Sequence, residues 1–300
     1  MAVGTRPRSR RPVQTAQPEV TYLSGAAATS LRPLLEAPRR PARVLAAFPL
    51  AVYLEVRTET EPRVLALVTG EATRLPNAVV LTGSLEGFSA GDDAWVGDGV
   101  VEAGGRAVRV RRWWDPAPPL GPVSGTALAR TLPVLHDICL SSPRQPGLES
   151  GGASALLSAG CHRGSLVDAI TAAEQLMGLG PGLTPSGDDM LAGLLVTLRS
   201  VGTAAGVGRA VWLADWLAAA VTFDARTRTT PISATLLHCA ARGEAGLETL
   251  AVLRGLTGRQ PLEPAAHRLL RLGHTSGADL AWGIRTGVSA VLGLGERDAE

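Results

Sequence analysis

The residues best suited to chemistry form a glycine-rich run at positions 180–189, Gly-Pro-Gly-Leu-Thr-Pro-Ser-Gly-Asp-Asp. Gly180 and Gly182, with two prolines between and after them, predict a rigid loop that leads directly into a helix. The first turn of such a helix presents backbone N–H groups and the positive end of the helix dipole. We therefore expect a site here for a phosphate or carboxylate group, contacted by Thr184, Ser186, Gly187 and Asp189.

A similar pattern occurs again near the C-terminus. Residues 186–193 and 276–283 share Ser, Gly, Asp and Gly at their first, second, fourth and eighth positions, and a threonine precedes each run. Glycine in a first helical turn is unfavourable unless a ligand or a neighbouring helix needs the space. We expect both helix N-termini to face one cavity, with these residues joining the anion site: Thr275, Ser276, Gly277 and Asp279.

A structural interpretation of the same motif must be weighed beside the functional one. Ser186 and Asp189 have the spacing of a capping box, in which the two side chains satisfy backbone N–H groups at the helix start. Ser165 and Asp168 fit that pattern too. Asp188 is then the carboxylate that capping does not require.

Asp188 has three open roles: general base, Mg²⁺ ligand together with Asp189, or a charge that favours the helix dipole. Among the five histidines, His274 is the one that adjoins a motif. Asp188 and His274 are therefore the candidate catalytic residues. No other metal ligands are expected, because the remaining histidines lack partners at metal spacing.

A third candidate segment spans residues 224–233 and is expected to be a loop that enters a helix. Thr230 before Pro231 predicts an N-cap followed by proline at the first helical position. Arg226 is expected to add a charge-assisted contact to a bound anion, with Ser233 at the same helix start.

The elements that must position these residues change in character at the proline-rich stretch 116–122. Before it, short Val- and Leu-rich runs bounded by turn residues predict strands, at 43–57 (with a proline break), 63–69, 78–81, 95–102 and 107–113. Acidic pairs such as those at residues 92–93 and the Asp98-Gly99 step are interpreted as turns. Such strands are typical of a small antiparallel barrel or sandwich.

After residue 122, Ala and Leu recur at helical spacing. Helices are predicted at 124–140, 165–178, 188–200, 209–223, 230–242, 244–255, 262–272 and 277–292. The expected fold is α+β, with a β-rich domain at 20–118, an α-helical domain at 122–296 and a disordered Arg/Pro tail at 1–19.

Composition narrows the possible chemistry. The net charge is +2, 45% of residues are hydrophobic and all 29 basic residues are arginine. Without lysine, a Walker-type phosphate lysine or a Schiff base is excluded. Three scattered cysteines argue against a disulfide framework or a zinc site. Apolar runs are too short for a membrane span, and no export signal follows the arginines, so a cytoplasmic protein is expected, with nucleic acid and membrane not among its partners.

Three stretches together resemble a known bacterial family. Residues 182–193 (GLTPSGDDMLAG), 229–237 (TTPISATLL) and 273–279 (GHTSGAD), in that order, are similar to the AllH-type subunits of oxamate carbamoyltransferase. The resemblance spans roughly residues 40–295. It implies an enzyme that works with two other subunits, one similar to a succinyl-CoA ligase subunit. Such complexes convert oxalurate and phosphate to oxamate and carbamoyl phosphate.

Two other functions stay open from the residues themselves. One is a hydrolase that holds Mg²⁺ between Asp188, Asp189 and Asp279, which would make Mg²⁺ the cofactor. The other is a non-catalytic scaffold subunit that binds a metabolite while its partners do the chemistry. In the carbamoyltransferase interpretation no cofactor is required, and phosphate, carbamoyl phosphate or an oxalurate-like acid would be the small-molecule partner.

Overall fold

The computed structural model describes residues 21–148 and 151–298, and within them a closed β-barrel precedes a helical region. This confirms the α+β fold, and of the two predicted β architectures the barrel is the one formed. The predicted tail at 1–19 lies outside the described residues.

The barrel closes in the order β1-β5-β4-β3-β2-β6-β7-β8. The β1–β8 and β4–β5 pairs are parallel and the other pairs are antiparallel. A 3-10 turn (Thr29–Leu31) and a short helix α1 (Arg32–Leu35) follow β1. The strands are β1 (Thr21–Ala28), β2 (Arg40–Ala47), β3 (Ala51–Val56), β4 (Val64–Thr69), β5 (Ala78–Leu81), β6 (Asp93–Gly97), β7 (Val100–Ala103) and β8 (Arg106–Trp114).

Two of the runs that were each predicted as one strand form two strands in the structure. The run 43–57 breaks into the antiparallel hairpin β2–β3, and 95–102 breaks into β6 and β7 around the predicted Asp98-Gly99 turn. Asp98 has φ of 51°, which a tight turn requires and a strand does not tolerate. Strand β1 was not predicted, because its second half, residues 24–28, consists of small residues without the β-branched side chains that indicate a strand.

Strand β4 lies between the barrel core and the helices, and it is buried on both faces. Leu65 and Leu67 point into the barrel core, whereas Ala66 and Val68 belong to a separate apolar cluster on the outer face. The Val64 N–H donates to Thr235 Oγ1 of helix α7 at 3.2 Å. Helical cover on the outside explains why this strand reads as a continuous apolar run.

The helical region follows the predicted pattern, with two differences. Helix α3 was not predicted, and α6 extends through residues that we expected to be a loop. The helices are α2 (Gly125–Ser141), α3 (Gly152–Arg163), α4 (Leu166–Leu176), α5 (Ser186–Ala205), α6 (Gly208–Arg228), α7 (Pro231–Ala241), α8 (Leu247–Leu256), α9 (Leu262–Leu270) and α10 (Ser276–Asp298). In the described part of the chain, no helix combines the length and apolar character needed to cross a membrane.

Candidate functional site

The two copies of the repeated motif meet at the N-termini of α5 and α10. Thr184 Oγ1 lies 3.2 Å from the Ser276 hydroxyl oxygen, and the Ser186 hydroxyl oxygen lies 3.3 Å from Thr275 Oγ1. Four hydroxyl groups from two distant parts of the sequence therefore form one cluster. The prediction that the two motifs lie close together is confirmed.

The first glycine of each motif is explained by helix packing. A Cβ at Gly187 would lie 1.9 Å from the Leu176 carbonyl oxygen, and one at Gly277 would lie 2.0 Å from the Leu269 carbonyl oxygen. In each copy, the end of the preceding helix presses against the start of the next. Only glycine leaves room for that approach.

The last glycine of each motif brings α5 and α10 together. A Cβ at Gly193 would meet the Leu280 carbonyl oxygen at 2.3 Å, and one at Gly283 would meet the Met190 carbonyl oxygen at 2.1 Å. Together with the hydroxyl contacts at the two helix starts and the approach of Gly287 to Thr197, these reciprocal contacts show that the two helices run in the same direction with matching register. The repeated motif is thus the seam of a pseudo-twofold helix pair.

The prediction that these helix starts present free backbone N–H groups is wrong. The Gly187 N–H donates to the Leu179 carbonyl, and the N–H groups of Asp188 and Asp189 donate to the Pro185 carbonyl. In the second copy, the N–H groups of residues 277–279 are likewise bonded to the carbonyls of residues 272 and 275. An anion at either terminus would have to displace these bonds.

The capping box is also wrong for the first motif. Pro185 is the N-cap of α5 and makes no side-chain capping bond, and Ser186 is already helical. The proline fixes the chain before the helix and leaves the serine free to face α10. At Ser165 the capping prediction is confirmed, because its side chain accepts from the Asp168 N–H.

Asp188 is buried and fully used by the protein itself. Its Oδ1 accepts from the Gly178 N–H at 2.7 Å, and its Oδ2 accepts from the Ser233 hydroxyl at 2.6 Å and from the Thr229 hydroxyl. The carboxylate therefore ties the glycine loop and the start of α7 to α5. These bonds give Asp188 a structural role, and its catalytic role stays a prediction.

Replacing Asp188 with alanine should lower the free energy of unfolding by about 3 kcal/mol, because three donors that are buried or partly buried lose their acceptor. Asp188→Asn keeps one acceptor oxygen and should lose less. Urea denaturation of both variants measures the difference, with the exposed Asp137→Ala as the control. An unchanged midpoint for Asp188→Ala would remove the structural role.

Asp189 and Asp279, the acids that occupy equivalent positions in the two copies, are both buried. Burial, ahead of the nearby charges of Asp279 and Asp188, raises the pKa of Asp189 to about 8, and the Ser276 and Thr184 hydroxyls partly oppose this. Burial also raises the pKa of Asp279, against a hydrogen bond from the Gly147 N–H. At neutral pH, Asp189 is therefore mostly a neutral carboxylic acid.

Each of these acids keeps one unused oxygen. Among the described residues, Oδ2 of Asp189 and Oδ2 of Asp279 are buried without a hydrogen-bond partner. Oδ1 of Asp279 accepts from the Gly147 N–H at 2.8 Å. Buried polar atoms without protein partners are unusual and costly, so a bound group or an ordered water would be stabilised there.

Asp189 faces a cavity of about 300 Å³ between the barrel and the helices. Motif residues form one side of it and barrel residues the other; among them are Thr184, Asp189, Gly273, Ser276, Ala51, Tyr53 and Val68. Burial raises the pKa of the Tyr53 hydroxyl, which therefore remains a donor. None of the described lining residues is basic, and two of them, Asp189 and Glu244, are acidic.

Other predicted site residues lie away from this cavity. Arg226 belongs to the last turn of α6 rather than to a loop, and its guanidinium lies 3.7 Å from Glu59. His274 is exposed and is not among the lining residues. Gly180 and Gly182 adopt φ of 118° and 97°, which glycine alone tolerates easily.

The start of α7 is confirmed as predicted. Thr230 caps the helix by accepting from the Ser233 N–H at 3.1 Å, with Pro231 at the first position. The Thr230 hydroxyl donates to the Leu183 carbonyl at 2.5 Å. This helix start therefore braces the glycine loop and Asp188, which makes Thr230 and Ser233 supports of the site.

The three carboxylates of the hydrolase alternative do not converge. Asp188 turns toward Gly178 and Ser233, while Asp189 and Asp279 face the α5–α10 seam. Across the described ranges, no group of three or more His, Cys, Asp or Glu side chains could hold a metal ion.

Gly147 and Tyr53 are site residues that sequence reasoning missed. A Cβ at Gly147 would lie 2.2 Å from the Ser186 hydroxyl oxygen, so this glycine sits directly on the hydroxyl cluster. Its only local signal is the preceding proline, which indicates a turn and nothing about a site. Nothing in the sequence indicated that Tyr53 belongs to the site, since it is one of several large residues in a strand.

Comparison with known proteins supports the resemblance noted above. A family model described as "Oxamate carbamoyltransferase subunit AllH" matches residues 176–288, which include both motif copies and the start of α7. The resemblance to the AllH-type family is thereby confirmed for this part of the chain. No solved structure matches the chain.

Proposed function

We propose that this chain is a subunit of a carbamoyl-transferring complex of the oxamate carbamoyltransferase type, and that the Asp189 cavity holds the carbamoyl end of the substrate. The match to the AllH family supports the first part. The observation that carries the second part is the unpartnered Asp189 oxygen at the cavity wall. The overall reaction would be oxalurate plus phosphate giving oxamate plus carbamoyl phosphate, shared with partner subunits.

The hydrogen-bonding character of the cavity favours an amide over an anion. An anion would find no basic side chain among the described lining residues, and Glu244 adds a carboxylate to the wall. A ureido group instead offers both N–H donors and a carbonyl acceptor, so it can pair with the free oxygen of the Asp189 carboxyl and with nearby hydroxyls. Its binding would satisfy a buried carboxyl oxygen that is otherwise left unpaired. We assign only the amide end of an oxalurate-like acid to this cavity.

The second motif copy contains an internal counterpart of this contact. Asp279 occupies the position equivalent to Asp189, and it accepts the peptide N–H of Gly147 at 2.8 Å. A peptide N–H and a ureido N–H are chemically alike. We infer that a substrate amide supplies to Asp189 what Gly147 supplies to Asp279.

A protonated Asp189 also suits the chemistry of carbamoyl transfer. A phosphate oxygen forms a bond to the ureido carbonyl carbon, the bond from that carbon to the oxamate nitrogen breaks, and the nitrogen needs a proton. Asp189 can supply it, because burial keeps its carboxyl protonated near neutral pH. The proton of the attacking hydrogen phosphate then restores the acid, so the step is balanced.

The test compares oxalurate with oxalate by calorimetry on the full chain, alone and with candidate partner subunits. Oxalate keeps two carboxylates and lacks the ureido group, so we expect oxalurate to bind and oxalate not to. Asp189→Leu should weaken oxalurate binding by about tenfold or more, since an acceptor is lost. Asp137→Asn, an exposed substitution, is the control.

Asp189→Asn separates binding from proton transfer. Asparagine keeps a donor and an acceptor in the same shape but supplies no acidic proton. Oxalurate binding should therefore stay within a few-fold of wild type, while carbamoyl phosphate formation by the complete complex falls by about a hundredfold. Equal binding of oxalate and oxalurate, or unchanged turnover in Asp189→Asn, would contradict the proposal. Binding without any turnover would favour the scaffold alternative.

A further inference from the structure

A second cavity, of about 400 Å³, lies between α2, α3 and α10 and shares no lining residue with the Asp189 cavity. Apolar side chains of Leu132, Pro133 and Trp282 form part of its wall. The polar part consists of His136, Ser158, Arg285, Thr286 and Ser289. A pocket with an apolar wall and a few converging polar groups has the usual make-up of a small-molecule site.

The polar groups of this cavity are hydrogen-bond donors without an acidic partner. No Asp or Glu is among its described lining residues. In the described part of the chain, no carboxylate lies within ion-pair distance of Arg285. Its positive charge lowers the pKa of the neighbouring Cys139 thiol against the larger effect of burial, and both residues also border a smaller cavity of about 30 Å³. The Arg285 side chain is half-buried.

A partly desolvated guanidinium without a counter-charge is energetically unfavourable unless an anion completes it. The planar fork of arginine matches the two oxygens of a carboxylate or of a phosphate group. Hydroxyls such as those of Ser158 and Ser289 can donate to the remaining lone pairs. Ser158 belongs to α3 and Arg285 and Ser289 belong to α10, so the polar lining of the pocket comes from more than one helix.

We propose that this cavity binds a small oxyanion, either a carboxylate or a phosphate group, through Arg285, with the ligand's apolar part against Trp282. The site is separate from the glycine-rich loop, where the sequence led us to expect anion binding. It does not depend on the function proposed for the Asp189 cavity.

The experiment titrates the full chain with inorganic phosphate, benzoate and benzamide at low ionic strength, using calorimetry. Benzamide has the shape of benzoate without its charge, so we expect no binding of benzamide. Tighter binding of benzoate would identify a carboxylate ligand, and tighter binding of phosphate would identify a phosphate ligand. Absence of binding by both anions at millimolar concentration would overturn the proposal.

Matched variants test whether Arg285 carries the interaction. Arg285→Gln should lower the affinity for the anion by about tenfold or more. Arg285→Lys should lower the affinity less, because lysine keeps the positive charge and loses only the planar fork of donors. Arg130→Gln removes an exposed arginine of α2 outside the cavity and should leave binding unchanged. Equal weakening by the variants at 130 and 285 would mean attraction to overall charge and would overturn the proposal. Asp189→Leu should retain anion binding, which keeps this result distinct from that of the first site.

Discussion

Substituting alanine for Gly187 or Gly277 is expected to lower the free energy of unfolding by about 3 kcal/mol or more, which is at the upper end of overpacking effects. The added Cβ atoms would lie 1.9 and 2.0 Å from backbone carbonyl oxygens of Leu176 and Leu269. A backbone carbonyl at a helix end cannot rotate away as a side chain can. The helices themselves would have to separate, and the Asp189 cavity would change with them.

Thermal and urea denaturation measure this effect, with Gly208→Ala as the control. Gly208 is also at the start of a helix, but a Cβ there meets nothing within 4 Å. Alanine at 208 should therefore be neutral or stabilising by up to about 1 kcal/mol. If Gly187→Ala behaved like Gly208→Ala, the packing explanation of the motif would be wrong.

The same geometry means that Gly187→Val would disturb the fold and could not serve as a test of ligand binding alone. Valine is larger than alanine and would collide with the same carbonyl oxygen. Loss of binding in that variant would reflect a disturbed fold. For this reason Asp189, whose side chain faces the cavity, is the more informative position for testing function.

Stability should fall as pH rises from about 5 to about 8, and Asp189 should be a main cause. Its pKa is about 8 in the folded protein, against about 3.9 for an unfolded aspartate. Between these values the folded state holds a proton that the unfolded state has lost. Each pH unit in this window therefore lowers the free energy of unfolding by up to about 1.4 kcal/mol. The stabilisation is fully present below about pH 4 and is lost as the pH rises through the pKa of Asp189 in the folded protein.

Asp189→Asn should flatten this pH dependence, because the amide does not ionise. The melting temperature at several pH values measures it, and the wild-type protein should lose several degrees that the variant keeps. Asp168→Asn is the control: the Ser165 hydroxyl and then Arg163 lower the pKa of Asp168, so its effect belongs to more acidic conditions. A pH slope that survives Asp189→Asn unchanged would show that Asp189 is ionised in the folded protein.

Much of the architecture could be predicted from local pattern. The change near residues 116–122 separates the barrel from the helices, and most helices lie close to their predicted positions. Helix α3 was not predicted, because its sequence of small and polar residues has a weak helical pattern. The extension of α6 through Arg226 was not predicted, because the polar sequence of its last turns resembles a loop.

The repeated motif shows how far the residues of the site could be predicted. Two similar runs suggested one site, and the hydroxyl contacts between Thr184 and Ser276 and between Ser186 and Thr275 confirm their proximity. The use of the backbone N–H groups could not be predicted, since it depends on where the carbonyls of residues 179, 185, 272 and 275 lie. The contribution of Gly147 depends on a turn that is remote in sequence.

The sequence by itself determined the class of each half of the chain and the rigid, glycine-bearing starts of α5 and α10, because these follow from periodicity and backbone freedom. Only the tertiary structure decided where the carboxylates of Asp188 and Asp189 point and which groups they contact. Neighbouring side chains on a helix point about 100° apart. One carboxylate therefore turns to the loop and α7, where three donors occupy it, and the other turns to α10 and the cavity, where one oxygen stays free.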